Sequence, residues 1–194
     1  MIEYVPGLEN VPAAESAISW IDGEKGILKY RGILIEDLAE HSTFEETAFL
    51  LINGKLPGES ELADFSRRVG RARKLSPELR AVIKSFPKDA SPMAVLQACV
   101  AAAAAVTKDK SVYDEKQREE SAVEFIGKFP ALVAGYHRHR SGKDFVEADP
   151  NATHAADFLH MLLGEDLDPL KVRAMDTCLI LHADHTMNAS TFAT

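Results

Sequence analysis

Cysteine is scarce in this sequence: 194 residues hold two, Cys99 and Cys178. Two isolated cysteines set in apolar helical patterns cannot make the disulfide framework of a small secreted domain. They read as free thiols in a reducing compartment. No early segment resembles a signal peptide, since Met1 to Pro12 has no basic start followed by an apolar run. No stretch has the bulky apolar length of a membrane span, and the alanine-rich run closes in Thr107-Lys108-Asp109-Lys110. Basic charge is short as well, with 22 Lys and Arg against 30 Asp and Glu and a formal net charge of −8. That balance argues against nucleic acid as a partner but leaves room for a local basic site for an anionic metabolite. Internal repeats and low-complexity linkers are absent. These absences predict one soluble cytoplasmic domain without a membrane or nucleic-acid partner.

What is present is ordinary globular composition, 46% apolar and 27% charged. A chain of this size buries about 70% of the surface its unfolded form exposes, enough for a sizeable core. Ile18-Ser19-Trp20-Ile21, Asp22-Gly23-Glu24-Lys25-Gly26 and Ile27-Leu28-Lys29-Tyr30 predict a short β-hairpin, with Asp-Gly supplying the turn and β structure confined to roughly residues 18–31.

Everything beyond the hairpin reads as helix and connector, so the fold class is mainly α. A short helix covers Leu34 to Glu40. Thr43 and Glu46 form a capping box for the next, whose apolar face is Phe44, Ala48, Leu51 and Ile52 and which Gly54 and Pro57 end. Ser60 is expected to cap a helix to about Lys74 with Arg67, Arg68, Arg71 and Arg73 on a solvated face. Ser76-Pro77 and Ser91-Pro92 open two more helices, because serine caps and proline suits the first helical position. The second of these, to about Thr107, carries Ala98 and Ala101 to Ala105, small enough for another helix to approach closely, within the chain or across a dimer axis. Tyr113 to Arg140 reads as a long helix broken or kinked near Pro130, its last turn rich in cations that suit the carbonyl end. Thr153 to Leu163, stopped by Gly164, and a long helix from Asp168-Pro169 complete the chain.

The most chemically suggestive cluster lies at the end of that last helix. Met175, Leu179 and His182 share a face, His185 follows, and Asn188 is a good N-cap for a new helix through Ser190. A helix start offers unpaired N–H groups to a carboxylate, and a neighbouring histidine adds a hydrogen bond, as a cation if its pKa is raised. Asp184 is placed to orient an imidazole. A structural pair of histidines bonded to backbone carbonyls remains a competing reading. Metal binding is disfavoured, because the two histidines stand three apart without the His-Glu-x-x-His pattern. A serine hydrolase is disfavoured too, since Ser190 is not in a Gly-x-Ser-x-Gly elbow.

Leu179-Ile180-Leu181-His182-Ala183-Asp184-His185 followed by Asn188-Ala189-Ser190-Thr191 resembles the citrate synthase family. So do the hairpin leading to Tyr30-Arg31-Gly32 and Ile35-Glu36-Asp37-Leu38-Ala39, the stretch from Phe44-Glu45-Glu46 to Leu56-Pro57, and Pro92-Met93. The resemblance covers nearly the whole chain in order. It implies a mainly helical enzyme of large and small domains that condenses acetyl-CoA with oxaloacetate to citrate and CoA, with acetyl-CoA a substrate and no resident cofactor or metal. It implies a homodimer, formed here through helices 77–85 and 92–107. It assigns His185 and Asn188 to oxaloacetate binding or support of that site, with His182 and Ser190 in supporting positions.

The resemblance also marks a departure. The family's main catalytic groups come from a His-Gly-Gly segment, a Gly-His-Arg segment and a late aspartate. No histidine here is followed by Gly-Gly or preceded by glycine. The chain closes on Phe192-Ala193-Thr194 without a helix stop signal. It is therefore expected to be an N-terminal portion of the large domain, inactive alone. The alternatives for the parent are a 2-methylcitrate synthase using propionyl-CoA, one methylene larger, or a non-catalytic helical dimerisation module.

Overall fold

A computed structural model describes residues 15–106, 111, 113–165 and 167–186. Among these residues, three short strands precede eight helices. β1 (Ser19–Asp22) pairs antiparallel with β2 (Ile27–Tyr30), and β3 (Ile33–Leu34) pairs antiparallel with β2. The first turn departs from the expectation that Gly23 supplies the left-handed residue, because positive φ falls on Gly26, at 65°. The Asp22 carboxylate closes that loop by accepting the Lys25 N–H at 3.1 Å and its Nζ at 3.0 Å.

The third strand extends β structure past the predicted boundary. Its two-residue connection, Arg31-Gly32, has φ values of 49° and 87°, the double positive-φ geometry of a tight hairpin. Arginine is a weak signal for that turn. It is held there by its own side chain, whose Nε and Nη2 donate to the Leu51 carbonyl at 3.2 and 2.7 Å.

The helices are α1 (Ile35–His41), α2 (Phe44–Asn53), α3 (Glu59–Ala72), α4 (Pro77–Ser85), α5 (Pro92–Val106), α6 (Glu115–Arg140), α7 (His154–Leu163) and α8 (Pro169–Leu181). Most start where the sequence places a cap. The Thr43–Glu46 capping box is formed in full, Ser76, Thr153 and Asp168 each accept a backbone N–H, and Gly54 and Gly164 end α2 and α7 in the left-handed conformation. α3 differs: Gly58 is its N-cap, with the Glu61 carboxylate accepting the Gly58 N–H at 2.9 Å, and Ser60 lies inside the first turn. α6 is also unlike its expectation, running unbroken through Pro130. Gly127, Pro130 and Ala131 are buried against neighbouring helices, so packing offsets the backbone bond that proline removes.

α6 is the central helix, touching α3, α4, α5 and α7. Leu79 and Ile83 of α4, Val95 and Cys99 of α5, Leu132 of α6 and Met161 of α7 share the largest core cluster. A second cluster joins Tyr30, Ile35, Leu38, Leu50 and Ile180, tying the strands, α1 and α2 to α8. A third joins α2, α3 and α6 through Ala48, Phe49, Phe65, Val69 and Val123. Gly127 lets α6 approach α3 closely, since a Cβ there would stand 2.6 Å from both the Ala72 Cβ and the Val69 carbonyl oxygen. α2 is enclosed on more than the predicted face, with Glu45, Thr47, Phe49 and Leu50 buried as well.

The α5 alanines divide between two surroundings. Ala103 is in the core of its own chain, while Ala101, Ala104 and Ala105 are exposed. α8 divides in the same way: Ile180 is buried, but Leu170, Ala174, Cys178 and Leu181 are exposed. Cys99 is buried, which pushes its thiol pKa up, and both cysteines are free thiols. No helix among the described residues is long and apolar enough to cross a membrane.

Candidate functional site

The four arginines expected on one solvated face are separated by the fold. Arg67 and Arg71 are exposed, and Arg68 reaches Glu119 of α6 at 2.7 Å. Arg73, just past the end of α3, is 1% exposed and pairs with the fully buried Asp157 at 3.0 Å. Its Nη1 also donates to the carbonyls of Ala152 and Asp149, at 3.0 and 3.3 Å. The Asp157 carboxylate in turn accepts the Asp149 N–H at 2.9 Å. The pair therefore ties the loop before α7 to the end of α3. Removing either partner would leave a charge buried without compensation.

Around this pair, helix ends are closed by charged residues from other helices. Glu45 of α2 accepts the N–H of His154, the first residue of α7, at 2.7 Å. Asp176 of α8 accepts the N–H of Phe44, the first residue of α2, at 3.1 Å. Each carboxylate meets the positive end of a helix dipole. Arg173 of α8 supplies the opposite charge to the last carbonyls of α1, bonding Glu40 at 3.0 Å and, beyond it, Ser42 at 3.1 Å. Burial outweighs these contacts for the two acids and raises both pKa values. His154 stacks on Phe44 at 4.6 Å, and burial, reinforced by the nearby Arg73 charge, lowers its pKa to about 3. It is a neutral imidazole at physiological pH. Among the described residues, His154 Nδ1, Glu45 Oε2 and Arg73 Nε have no hydrogen-bond partner.

The basic end of α6 is structural in its contacts. His139 bonds the Phe86 carbonyl at 2.9 Å, Arg138 donates to the Asp144 carbonyl, and Arg140 lies over the Tyr136 ring.

The predicted site lies at the other end of α8. His182 is the C-cap, its N–H bonding the Cys178 carbonyl. Its Nδ1 also lies 2.7 Å from that carbonyl. A carbonyl only accepts, so Nδ1 is the donor in this bond. His182 lines a largely apolar groove of about 350 Å³ between α6, α7 and α8, with Phe129, Pro130, Val133, Phe158, Leu179 and His154 among its walls.

Beyond His182 the chain turns sharply. Asp184 accepts the Thr186 N–H on its carboxylate at 2.9 Å, and Thr186 takes a positive φ of 63°. Asp184 thus closes the turn with its carboxylate, and among the described residues that carboxylate bonds the Thr186 N–H and neither imidazole. His185 is exposed between them. Asn188 and Ser190 lie outside the described residues. The structure therefore brings His182, Asp184 and His185 into one turn. A metal cluster of three or more His, Cys, Asp or Glu is absent among the described residues.

The turn is pinned from a distance by Tyr30, at the end of β2 and 0% exposed. Its hydroxyl lies 3.3 Å from the Leu181 carbonyl and 3.1 Å from that of Asp184, and accepts the Asp184 N–H at 3.2 Å. Desolvation raises the phenol pKa, so it stays protonated and able to donate. Sequence reasoning places Tyr30 in the hairpin but finds no role for it, because its partners lie more than 150 residues away. Asp157 left a fainter signal, a lone acid within an otherwise apolar helical pattern, whereas Glu45 stands beside Glu46 in a first helical turn where acids are ordinary.

Comparison with known proteins bears on the family and the fold. The family model described as "Citrate synthase, C-terminal domain" matches residues 7–194. Citrate synthase from Synechocystis is 41% identical over 190 residues, covering 98% of this chain and 48% of that protein. The Haloferax volcanii citrate synthase is 42% identical over 195 residues, covering 98% and 52%. Citrate synthase of Pyrobaculum aerophilum superimposes with a TM-score of 0.84 at 39% identity, covering 100% of this chain and 52% of that one. The Thermoplasma acidophilum enzyme, solved as a ternary complex with carboxymethyl coenzyme A and oxaloacetate, gives 0.91 at 33% identity, covering 98% and 50%. The chain spans about half the length of the curated relatives it matches. A mainly helical chain that matches the family model over residues 7–194 and aligns with these proteins along nearly all its residues belongs to the citrate synthase family.

Proposed function

We propose that this chain is the N-terminal portion of the large domain of a citrate synthase, an enzyme that condenses acetyl-CoA with oxaloacetate to give citrate and CoA. The observation that carries the reading is the turn after α8, which presents His185 to solvent on a fixed backbone. An imidazole there can donate a hydrogen bond to one end of a dicarboxylate, and the helix start expected at Asn188, with Ser190 behind it, would add N–H donors. His182, turned back onto its own helix by the Cys178 carbonyl, supports that backbone.

The chain does not supply the rest of the chemistry. Condensation needs a base for the acetyl methyl group, together with donors for the enol and for the oxaloacetate carbonyl, all positioned at once. The His-Gly-Gly and Gly-His-Arg segments that carry such groups in the family do not occur in these 194 residues. His185 is thus a binding residue here, and the catalytic acid–base groups belong to a continuation of the polypeptide.

Assembly follows the same reading. The exposed side of α5, with Met93, Ala101, Ala104 and Ala105, is small and apolar, and it suits close approach of a second copy together with α4. Light scattering of the full-length protein should give twice the monomer mass. The free thiols suit a reducing, cytoplasmic setting. The functional test is CoA release from acetyl-CoA in the presence of oxaloacetate. The full-length protein should turn over, and the purified 194-residue chain should not. Substantial turnover by the isolated chain would overturn the placement of the catalytic groups.

A further inference from the structure

We infer that Tyr30 is a positioning residue for oxaloacetate binding, acting through the turn that carries His185. The inference rests on the reading of His185 as an oxaloacetate ligand. The turn has few ties of its own. His182 and Ala183 still bond back to α8, and Thr186 bonds the Asp184 side chain, while among the described residues the backbone of Asp184 is held from outside the turn by the Tyr30 hydroxyl.

That hydroxyl does two things at once. It accepts the Asp184 N–H at 3.2 Å and offers its proton to the carbonyls of Leu181 and Asp184, at 3.3 and 3.1 Å. One fully buried group thus spans the last residue of α8 and the residue before His185. It fixes both ends of the step that redirects the chain out of the helix. The Tyr30 ring itself is locked among Ile35, Leu38, Leu50 and Ile180, so the hydroxyl has little freedom to follow a moving turn. Its base is equally rigid, because the next two residues form the Arg31-Gly32 hairpin turn and Arg31 is bonded to the Leu51 carbonyl.

A ligand-binding imidazole is effective only when its direction is set before the ligand arrives. With Tyr30 in place, the entropy of ordering the turn is lost during folding. Without the hydroxyl, the Asp184 N–H and the two carbonyls turn to water, and the backbone that carries His185 is ordered only on binding. The consequence belongs to oxaloacetate and not to the thioester, because the groups that the turn carries toward a ligand, His185 first among them, are those assigned to the dicarboxylate.

The experiment is a double-mutant cycle with Tyr30→Phe and His185→Ala in the full-length enzyme. Tyr30→Phe keeps the ring in its pocket and removes only the hydroxyl. It should raise the KM for oxaloacetate by about five- to tenfold, the effect of losing about one hydrogen bond, while leaving the KM for acetyl-CoA unchanged. In the His185→Ala background the same change should have almost no further effect on the oxaloacetate KM. Amide exchange at Asp184 in the 194-residue chain provides a readout independent of turnover, and the Tyr30→Phe chain should exchange there at least tenfold faster. An oxaloacetate effect that persists undiminished without His185 overturns the inference and leaves the ligand reading intact. Equal changes in both KM values, or unchanged exchange at Asp184, also overturn it. A His185→Ala enzyme with normal oxaloacetate KM overturns the ligand reading itself, and with it the route through His185.

Discussion

The start of α7 and the end of α8 both carry a histidine, an aspartate and a tight backbone, yet they are built in opposite ways. At the start of α7 the polar groups face inward. Arg73, Asp157, Glu45 and His154 are all buried, and most of their bonds go to one another or to helix ends. At the end of α8 the backbone is bonded inward to Tyr30 and Cys178, while His182 and His185 are exposed. The first arrangement spends its charge on closing helix ends. The second leaves its imidazoles able to meet a solute. A histidine at a helix end is therefore not a site by virtue of its position, and what decides is whether its neighbours consume it.

The strongest way to break this contrast is at the buried ion pair. Arg73→Leu should destabilise the chain by roughly 3–5 kcal/mol in chemical unfolding, because Asp157 is left charged and buried. Adding Asp157→Leu should recover a large part of that loss. If the single variant costs no more than a surface substitution, the pair does not hold α3 to α7.

The second effect is a pH dependence peculiar to the α7 side. The folded-state pKa of His154 is lowered from 6.5 to about 3 by burial. The unfolded chain therefore takes up a proton in that window before the folded chain does. Stability from this group is complete above 6.5 and lost progressively as pH falls toward 3. Glu45 and Asp176 have raised pKa values and act with the opposite sign, destabilising as pH rises through and above the ordinary carboxylate range. His154→Phe, which preserves the stack on Phe44, should remove the acid-side loss. Melting temperatures from pH 7 to pH 4 for the two proteins would show it, and parallel curves would refute the assignment.

A smaller effect tests the frame that both regions share. Gly127→Ala should cost about 1–3 kcal/mol, because its Cβ would press on Ala72 and the Val69 carbonyl where α6 crosses α3. A melting temperature unchanged from that of the parent chain would show that the two helices can separate freely at that point.

The contrast also explains what could be read from the sequence. Thr43-Glu46, Ser76-Pro77, Thr153-Gly164 and Asp168-Pro169 act within a few residues, so their helices stood where local chemistry placed them. Features that depend on distant contacts were not legible in the same way. The Arg31-Gly32 turn relies on the Leu51 carbonyl, and the unbroken α6 relies on helices packed around Pro130. Arg73 looked like one of four solvated arginines because its partner stands 84 residues away. His182 and His185 were visible through their spacing and their resemblance to a family motif. Tyr30, which fixes that turn, was visible only as part of a hairpin.

The measurement that goes most directly to the central claim compares three histidines in the full-length enzyme by steady-state CoA release. His185→Ala should raise the oxaloacetate KM and lower turnover, with little change in melting temperature. His154→Phe should leave the oxaloacetate KM near the parent value and alter the pH dependence of melting. His139→Ala, whose partner is the Phe86 carbonyl, should leave both substrate KM values nearly unchanged. An oxaloacetate KM that responds to His154 or His139 and not to His185 would contradict the account.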